Sequence, residues 1–97
     1  MIRDTQIRAA RALLRISAAE LAEASGVDLR TIQRFEKAEG IPKSRSGTLL
    51  KIKETLESAG IVFLGDPETS PGVQLRPDAT EKDSRPQVPG RKEKHPK

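Results

Sequence analysis

The sequence lacks cysteine, tryptophan and tyrosine, and its 97 residues include a single histidine and two phenylalanines. Without cysteine, disulfide scaffolds, zinc fingers and thiol nucleophiles are excluded. Its longest aliphatic or aromatic run, Ile61 to Leu64, is far below the roughly 18 residues that a membrane helix needs. The N-terminus has no apolar signal-peptide core. We therefore expect a soluble, cytoplasmic protein with no membrane contact.

The sequence also lacks the usual elements of an active site. The sole histidine, His95, lies in a polar segment near the end of the chain. There is no glycine-rich phosphate loop, and helical spacing fixes no carboxylate pair in a recognisable cleft. We therefore expect neither enzymatic activity nor a cofactor or metal. The net charge of +4 and the pI near 9.8 favour an anionic partner.

Composition changes sharply at Pro77. From Pro77 to Lys97 the only aliphatic side chains are Ala79 and Val88, and four of the seven prolines lie there. Such a segment cannot bury enough apolar surface to offset the chain entropy lost on folding. The sequence therefore predicts one folded domain over residues 1–76, followed by a disordered basic tail over residues 77–97.

Apolar spacing and helix-stop residues predict a mainly helical domain with a short hairpin at its end. Gly60 ends the last helix, and the segment between the two predicted strands is too long for a tight turn. The predicted helices cover about residues 5–15, 17–25, 28–37 and 46–59, and the predicted strands cover about residues 61–64 and 73–76.

Polar residues at the predicted helix starts fit capping positions. Ser17 and Glu20 have the spacing of a capping box before the second helix. Asp28 and Ser46 are candidate caps of the third and fourth helices, and Gly26 allows the positive φ of a short turn between the second and third. The first helix has no clear start signal.

A capped short helix, a glycine turn and a second capped helix form the helix-turn-helix pattern. The stretch from Gln6 to Gly60 resembles the Cro and lambda-repressor-like domains, also called the XRE family. The resemblance implies that the four predicted helices form a lambda-repressor-like helix-turn-helix domain, which binds double-stranded DNA sequence-specifically as a small prokaryotic-type transcriptional regulator and homodimer. It rests on Arg11 in the first helix, Ser17 to Ala22 as the first motif helix, Gly26 and Val27 as the turn, and Thr31 to Glu36 in the recognition helix.

The third helix concentrates cations opposite its apolar side. At about 100° per residue, Ile32 and Phe35 share one face, and the polar residues occupy an arc of about 100° on the other. These side chains suit base edges or phosphates in a major groove, although a solvated helix face has similar composition. We expect the two arginines to read bases, with a phosphate as the alternative contact of the second, which lies a turn deeper, and the other two residues to position the helix. The four residues are Arg30, Gln33, Arg34 and Lys37.

Other positions gain candidate roles from the resemblance. It implies that Arg11 pairs with Glu36, which orients the recognition helix. It also implies a backbone contact by Lys43 and Arg45 after that helix, with a solvated basic loop as the alternative. Leu29, at the start of the recognition helix, either touches a thymine methyl or packs against the second helix.

Two departures from the family pattern leave alternatives open. Many family members carry a phosphate-contacting glutamine where this chain has Ala18. Together with the modest net charge of +2 over residues 1–76, this keeps a second function in view, a helix-turn-helix protein that binds a protein partner as an antitoxin or antiactivator. Strand-like residues also replace a fifth helix, and the hairpin either closes the core or pairs with another copy.

We predict that deleting residues 77–97 leaves the domain folded. Because the tail contributes almost no apolar surface, a chain ending at Arg76 should change the free energy of unfolding by no more than about 0.5 kcal/mol. Thermal unfolding of the two proteins followed by circular dichroism measures the difference. Loss of cooperative unfolding in the shortened chain would show that the domain boundary lies further along.

Overall fold

The computed structural model describes residues 1–44 and 47–76 and has the predicted architecture of four helices and a hairpin. Arg45, Ser46 and the predicted tail over residues 77–97 lie outside the described residues. No helix in the described part is long and apolar enough to cross a bilayer. The elements are α1 (Asp4–Leu14), α2 (Ala18–Ser25), α3 (Leu29–Glu36), α4 (Thr48–Ser58), β1 (Ile61–Leu64) and β2 (Gly72–Leu75).

α1 starts and ends one residue earlier than predicted. At its start, the Gln6 side-chain oxygen accepts a hydrogen bond from the Arg3 N–H at 2.9 Å, so the third helical residue caps the chain entering the helix. Gln6 is therefore the signal for the start of α1, which residue spacing did not reveal. At the other end, Arg15 adopts a left-handed conformation with φ of 59°, which stops the helix after Leu14.

The caps predicted for α2 and α3 are confirmed. Ser17 Oγ accepts from the Glu20 N–H at 3.0 Å, and the Glu20 carboxylate accepts from the Ser17 N–H at 2.9 Å. The Asp28 carboxylate accepts from both the N–H and the hydroxyl of Thr31, at 3.3 and 2.7 Å. Gly26, with φ of 78°, makes the turn between the two helices as predicted.

The predicted start of α4 at residue 46 is wrong, because the helix begins at Thr48. Gly47 has φ of 71°, a left-handed conformation that cannot belong to a right-handed helix. The hydroxyl that accepts from the first turn belongs to Ser44, which receives the Leu49 N–H at 2.9 Å. The predicted cap, Ser46, lies outside the described residues. Gly60, with φ of 107°, follows the end of the helix as predicted.

The hairpin pairs β1 and β2 in antiparallel register. Ile61 lies opposite Leu75, and Leu64 lies opposite Gly72. β2 thus begins and ends one residue earlier than predicted, because Gly72 forms the last pair before the loop. In the loop, Asp66 Oδ1 accepts from the Glu68 N–H at 2.7 Å, which makes a side-chain-stabilised turn.

One apolar core joins all four helices to the hairpin. Phe63, Val73 and Leu75 of the hairpin pack against this core. The hairpin therefore closes the core, which is one of the two roles that the sequence left open for it. The exposed polar residues face outward from this core. The largest fully buried side chains are those of Ile2, Ile7, Leu14, Leu21, Ile32, Phe35, Ile52, Leu56 and Ile61.

The start of α1 ties the hairpin to the loop after α3. The Asp4 N–H donates to the Gly40 carbonyl, and the Gly40 N–H donates to Asp4 Oδ1, both at 3.0 Å. Gln6 Nε2 donates to the Gly72 carbonyl at 3.0 Å. Burial raises the pKa of Asp4, but hydrogen bonds from Arg3 and the Thr5 main chain, with the charges of Arg3 and Arg8, bring this pKa below its ordinary value.

We predict that Asp4→Asn destabilises the fold by about 1–3 kcal/mol near neutral pH, because the variant loses charge-assisted hydrogen bonds. A lowered native pKa stabilises the fold above the unfolded pKa near 4, and this contribution is lost as the pH falls through the native pKa. The difference between wild type and variant should therefore shrink below about pH 4.

Urea unfolding at several pH values measures this difference. The matched control is Glu54→Gln at an exposed site on α4, which should change the free energy of unfolding by less than about 0.5 kcal/mol near neutral pH. A deficit in Asp4→Asn that stays constant down to the acid transition would contradict the assigned role of the charge.

Candidate nucleic-acid interface

α3 separates an apolar face from a basic one. Ile32 and Phe35 are 0% and 1% exposed and belong to the core. Arg30, Gln33 and Arg34 are all exposed, so the structure places these three predicted contact residues outside the core on a single helix. Because the buried face fixes the rotation of α3, the basic face is held toward solvent.

The two ends of α3 differ from those of the helix predicted over residues 28–37. Leu29, the first helical residue, is 38% exposed, which leaves apolar surface at the leading end. Lys37 is exposed but lies at the C-terminal cap, since α3 ends at Glu36. The predicted helix is therefore one residue too long at each end. Lys37 is the C-cap residue, so the position that a regular helix would give its side chain does not apply.

Arg34 lies over an aromatic ring. Its guanidinium carbon is 5.1 Å from the centroid of the Phe35 ring, within cation–π distance. The Arg30 side chain makes no hydrogen bond or ion pair with any residue in the described ranges. The two arginines of the basic face therefore differ, because the Arg34 side chain is held by its contact with Phe35 and the Arg30 side chain has no comparable contact.

An open groove of about 640 Å³ lies between the α2–α3 turn, α3 and the start of α4. Three cations line it, Arg34 from α3, Lys43 from the loop and Lys51 from α4. The sequence indicates Lys43 but not Lys51, because helix packing and not a local pattern brings Lys51 to this groove. Arg45, the other predicted loop cation, lies outside the described residues. The remaining lining residues are Gly26, Val27, Asp28, Thr31, Phe35, Ser44 and Thr48.

Arg11 holds the end of α3 through a bidentate ion pair. Its Nε and Nη2 donate to Glu36 Oε2 and Oε1 at 2.7 and 2.8 Å. The hydrogen bond with Glu36 raises the pKa of Arg11, burial lowers it, and the carboxylate charge raises it further, with a net increase. Arg11 Nη1 also donates to the Ile16 carbonyl at 3.2 Å, just before α2.

The buried Glu36 carboxylate is fully paired by this arrangement. Its side chain is 9% exposed, and burying an unpaired carboxylate would carry a large desolvation penalty. Arg8 adds a hydrogen bond from its Nη1 to the Glu36 main-chain carbonyl. Three side-chain donors from α1 therefore fix the last residue of α3, and with it the direction of the basic face.

The model of the helix-turn-helix family HTH_3 matches residues 7–56, which is more than half of the chain. This chain belongs to that helix-turn-helix family. The XRE and Cro/CI-like resemblance is thus confirmed, and this family consists of DNA-binding domains and not of enzymes. A search of curated proteins found no match. The match includes α2, α3 and most of α1 and α4, whereas the hairpin lies beyond it.

The helix-turn-helix domain shows no metal centre, since no group of three potential ligands occurs within residues 1–44 and 47–76. Family membership supports a DNA-binding regulator in general. Ala18 occupies the first position of α2, where it is half-buried and offers no side-chain hydrogen-bond donor.

We predict that Arg11 and Glu36 are energetically coupled. A double-mutant cycle with Arg11→Met and Glu36→Gln should give an interaction energy of about 0.5–3 kcal/mol, because each single variant leaves a partly buried partner unpaired. Chemical unfolding without DNA measures stability alone. Additive effects of the two substitutions would contradict a direct interaction. The half-buried pair of Lys53 and Glu57, four residues apart on α4, offers a control cycle expected near about 0.5 kcal/mol or less.

Proposed function

We propose that this helix-turn-helix protein binds double-stranded DNA sequence-specifically and acts as a small transcriptional regulator. The observation that carries the proposal is the basic face of α3, which is exposed while the opposite face of the same helix is locked into the core. A helix of this kind fits the major groove with its N-terminal residues toward the bases. Gln33 lies on this face as a further donor and acceptor for base edges.

Arg30 is the base-reading residue of the proposed interface. It lies in the first turn of α3 and is exposed, and its side chain makes no hydrogen bond or ion pair within the described part of the chain. Its planar guanidinium can donate to O6 and N7 of one guanine, which gives sequence preference. Leu29, exposed beside it, supplies an apolar contact for a thymine methyl.

Arg34 contacts the DNA backbone in this proposal. Its stacking over Phe35 places it on the wall of the groove that also carries Lys43 and Lys51. Three cations on one groove suit the phosphates that flank the major groove, and such contacts position a protein without reading sequence. The sequence leaves both a base contact and a phosphate contact open for Arg34, and the proposal assigns it the phosphate contact.

A homodimer on a two-fold site completes the proposal. One recognition helix reads only a few base pairs, so two copies with half-sites about 34 Å apart, or a multiple of that distance, would give a longer recognition sequence. The absence of a donor at Ala18 favours the second candidate, a protein-binding module, and the same DNA experiment separates the two.

We predict that Arg30→Ala and Arg34→Ala affect DNA binding differently. Arg30→Ala should weaken binding to the preferred site by about 1–3 kcal/mol and relax the preference at one base pair. Arg34→Ala, like Lys43→Ala and Lys51→Ala, should weaken binding to all sequences alike and reduce the slope of log affinity against log salt concentration by about one.

The measurement is fluorescence anisotropy over a range of salt concentrations, with a duplex selected from a random pool and single-base variants of it. Lys53→Ala is the control, because Lys53 lies outside the groove and pairs with Glu57. If Arg30→Ala and Arg34→Ala both bind like wild type with the fold intact, α3 does not read DNA. The protein-partner function would then replace the proposed one.

A further inference from the structure

The groove beside α3 brings together three cations that have no carboxylate partner. Arg34, Lys43 and Lys51 line it from α3, the following loop and α4. All three are exposed, and their side chains make no hydrogen bond or ion pair with any other residue within 1–44 and 47–76. Elsewhere in the fold an arginine can be fully engaged, as Arg11 is by Glu36. The three like charges therefore favour an anionic ligand.

The net charge of the groove indicates which anion fits. Asp28 also lines the groove, and a hydrogen bond from the Thr31 side chain lowers the pKa of its carboxyl group, so this group is ionised near neutral pH. Three cations and one carboxylate leave a formal charge of +2. A phosphate monoester carries about 1.5 to 2 negative charges at pH 7, whereas each phosphate of a duplex carries about one. A monoester therefore neutralises the groove more fully than one phosphate of DNA.

The rest of the groove lining is polar. Val27 and Phe35, its large apolar residues, are only 6% and 1% exposed and present little apolar surface. Hydroxyl groups come from the side chains of Thr31, Ser44 and Thr48. A ligand that carries hydroxyl groups therefore suits this lining better than an apolar ligand does.

Asp28 offers an acceptor for such hydroxyl groups. Its Oδ2 accepts from the Thr31 N–H at 3.3 Å, and its Oδ1 accepts from the Thr31 hydroxyl at 2.7 Å. Each carboxylate oxygen has two lone pairs, so each can accept a second hydrogen bond. The bonds from Thr31 hold the carboxylate at the start of α3, where it is exposed.

We propose that this groove binds a small sugar phosphate, with the phosphate among the three cations and a sugar hydroxyl on Asp28. Arginine and lysine both bind phosphate, arginine through two parallel hydrogen bonds. The groove volume of about 640 Å³ lies within the range of about 300–1,000 Å³ that is typical of small-molecule sites, so the sugar fits beside the phosphate. A nucleoside monophosphate offers the same pair of groups, and the test below separates these two sources.

The ligand would compete with DNA, and this consequence alone rests on the proposed function. That function assigns the same three cations to phosphates of the duplex. Ligand at ten times its own Kd should therefore raise the apparent Kd for DNA by up to about tenfold. Binding of the ligand itself requires no DNA and is measured without it.

The first test titrates the full-length, ¹⁵N-labelled protein at fixed ionic strength and follows its amide signals by NMR. The ligands are glucose 6-phosphate and adenosine 5′-monophosphate, with glucose, inorganic phosphate and dimethyl phosphate as comparisons. At least one of the two esters should bind with a Kd below about 5 mM and at least about threefold more tightly than any comparison compound. The tighter ester identifies the source.

The signals that move locate the site. Those of Gly26, Thr31 and Thr48, which line the groove, should shift more than those of β1 and β2. A Kd above about 5 mM for both esters, inorganic phosphate that binds as tightly as they do, or shifts centred outside the groove would overturn the proposal.

The second test removes single cations. Lys43→Ala and Lys51→Ala should each raise the ligand Kd by at least about threefold. Arg30→Ala is the matched control, because it removes one exposed cation from α3 that does not line the groove, and it should leave the ligand Kd unchanged. Equal effects of the three substitutions would indicate general attraction by the charge of the protein and would overturn the proposal. Circular dichroism confirms that each variant is folded.

The third test separates the sugar from the phosphate. Asparagine caps a helix about as well as aspartate, so Asp28→Asn should preserve α3. Loss of the negative charge should tighten the binding of inorganic phosphate. Loss of the carboxylate should lower the preference for the ester over inorganic phosphate by about threefold. An unchanged preference would overturn the proposal in favour of a site for phosphate alone.

The ligand site and the DNA function fail separately. If wild type binds no specific duplex but an ester binds in the groove, the DNA function falls and the ligand site stands. If wild type binds specific DNA and neither ester binds, the ligand site falls alone. If both bind and the ester leaves the affinity for DNA unchanged, the shared use of the three cations is overturned.

Discussion

The buried carboxylate of Glu36 sets the constraint on which the arrangement of the helices depends. A buried carboxylate needs full pairing, and in the described part of the chain α1 supplies the donors, two from Arg11 to the side chain and one from Arg8 to the main chain. Because Arg11 also holds the Ile16 carbonyl, one guanidinium fixes the end of α3 and the approach to α2 together. The basic face of α3 owes its direction to this pair as much as to apolar packing.

A second polar cluster organises the opposite end of α1. Asp4 closes a reciprocal pair of hydrogen bonds with Gly40, and Gln6 holds the carbonyl of Gly72. The loop after α3 and the hairpin are therefore both fastened to the first turn of one helix. In a domain with few aromatic side chains, such polar contacts supply directional order that a small apolar core gives less well.

Local chemistry predicts much of this fold, and long-range contacts account for most of what it misses. The caps at Ser17 and Asp28 and the glycine turn at Gly26 follow from residue type and spacing, as does the exposure of Arg30. The late start of α4 follows from the left-handed conformation of Gly47, which a sequence pattern permits but does not require. Lys51 lines the groove because α4 packs beside α3, and no local sequence pattern indicates this.

The start of α1 is a second case in which long-range contacts could not be predicted from local sequence. Gln6 and Asp4 look like ordinary polar residues of a first turn, and their partners lie far along the chain in the loop and the hairpin. No periodicity within α1 indicates a partner at that distance. The pairing of Arg11 with Glu36 was anticipated only because the family resemblance supplied the long-range relation that spacing lacks.

The different surroundings of Arg30 and Arg34 bear on how the recognition surface could diversify. Arg34 rests on Phe35, a ring that also fills the core, so exchanging it disturbs a contact with the interior. The Arg30 side chain makes no hydrogen bond or ion pair elsewhere in the described chain. Substitution at position 30 should therefore cost little folding stability, and under the proposed function it would change the preferred DNA sequence, whereas substitution at position 34 also disturbs a contact with the core.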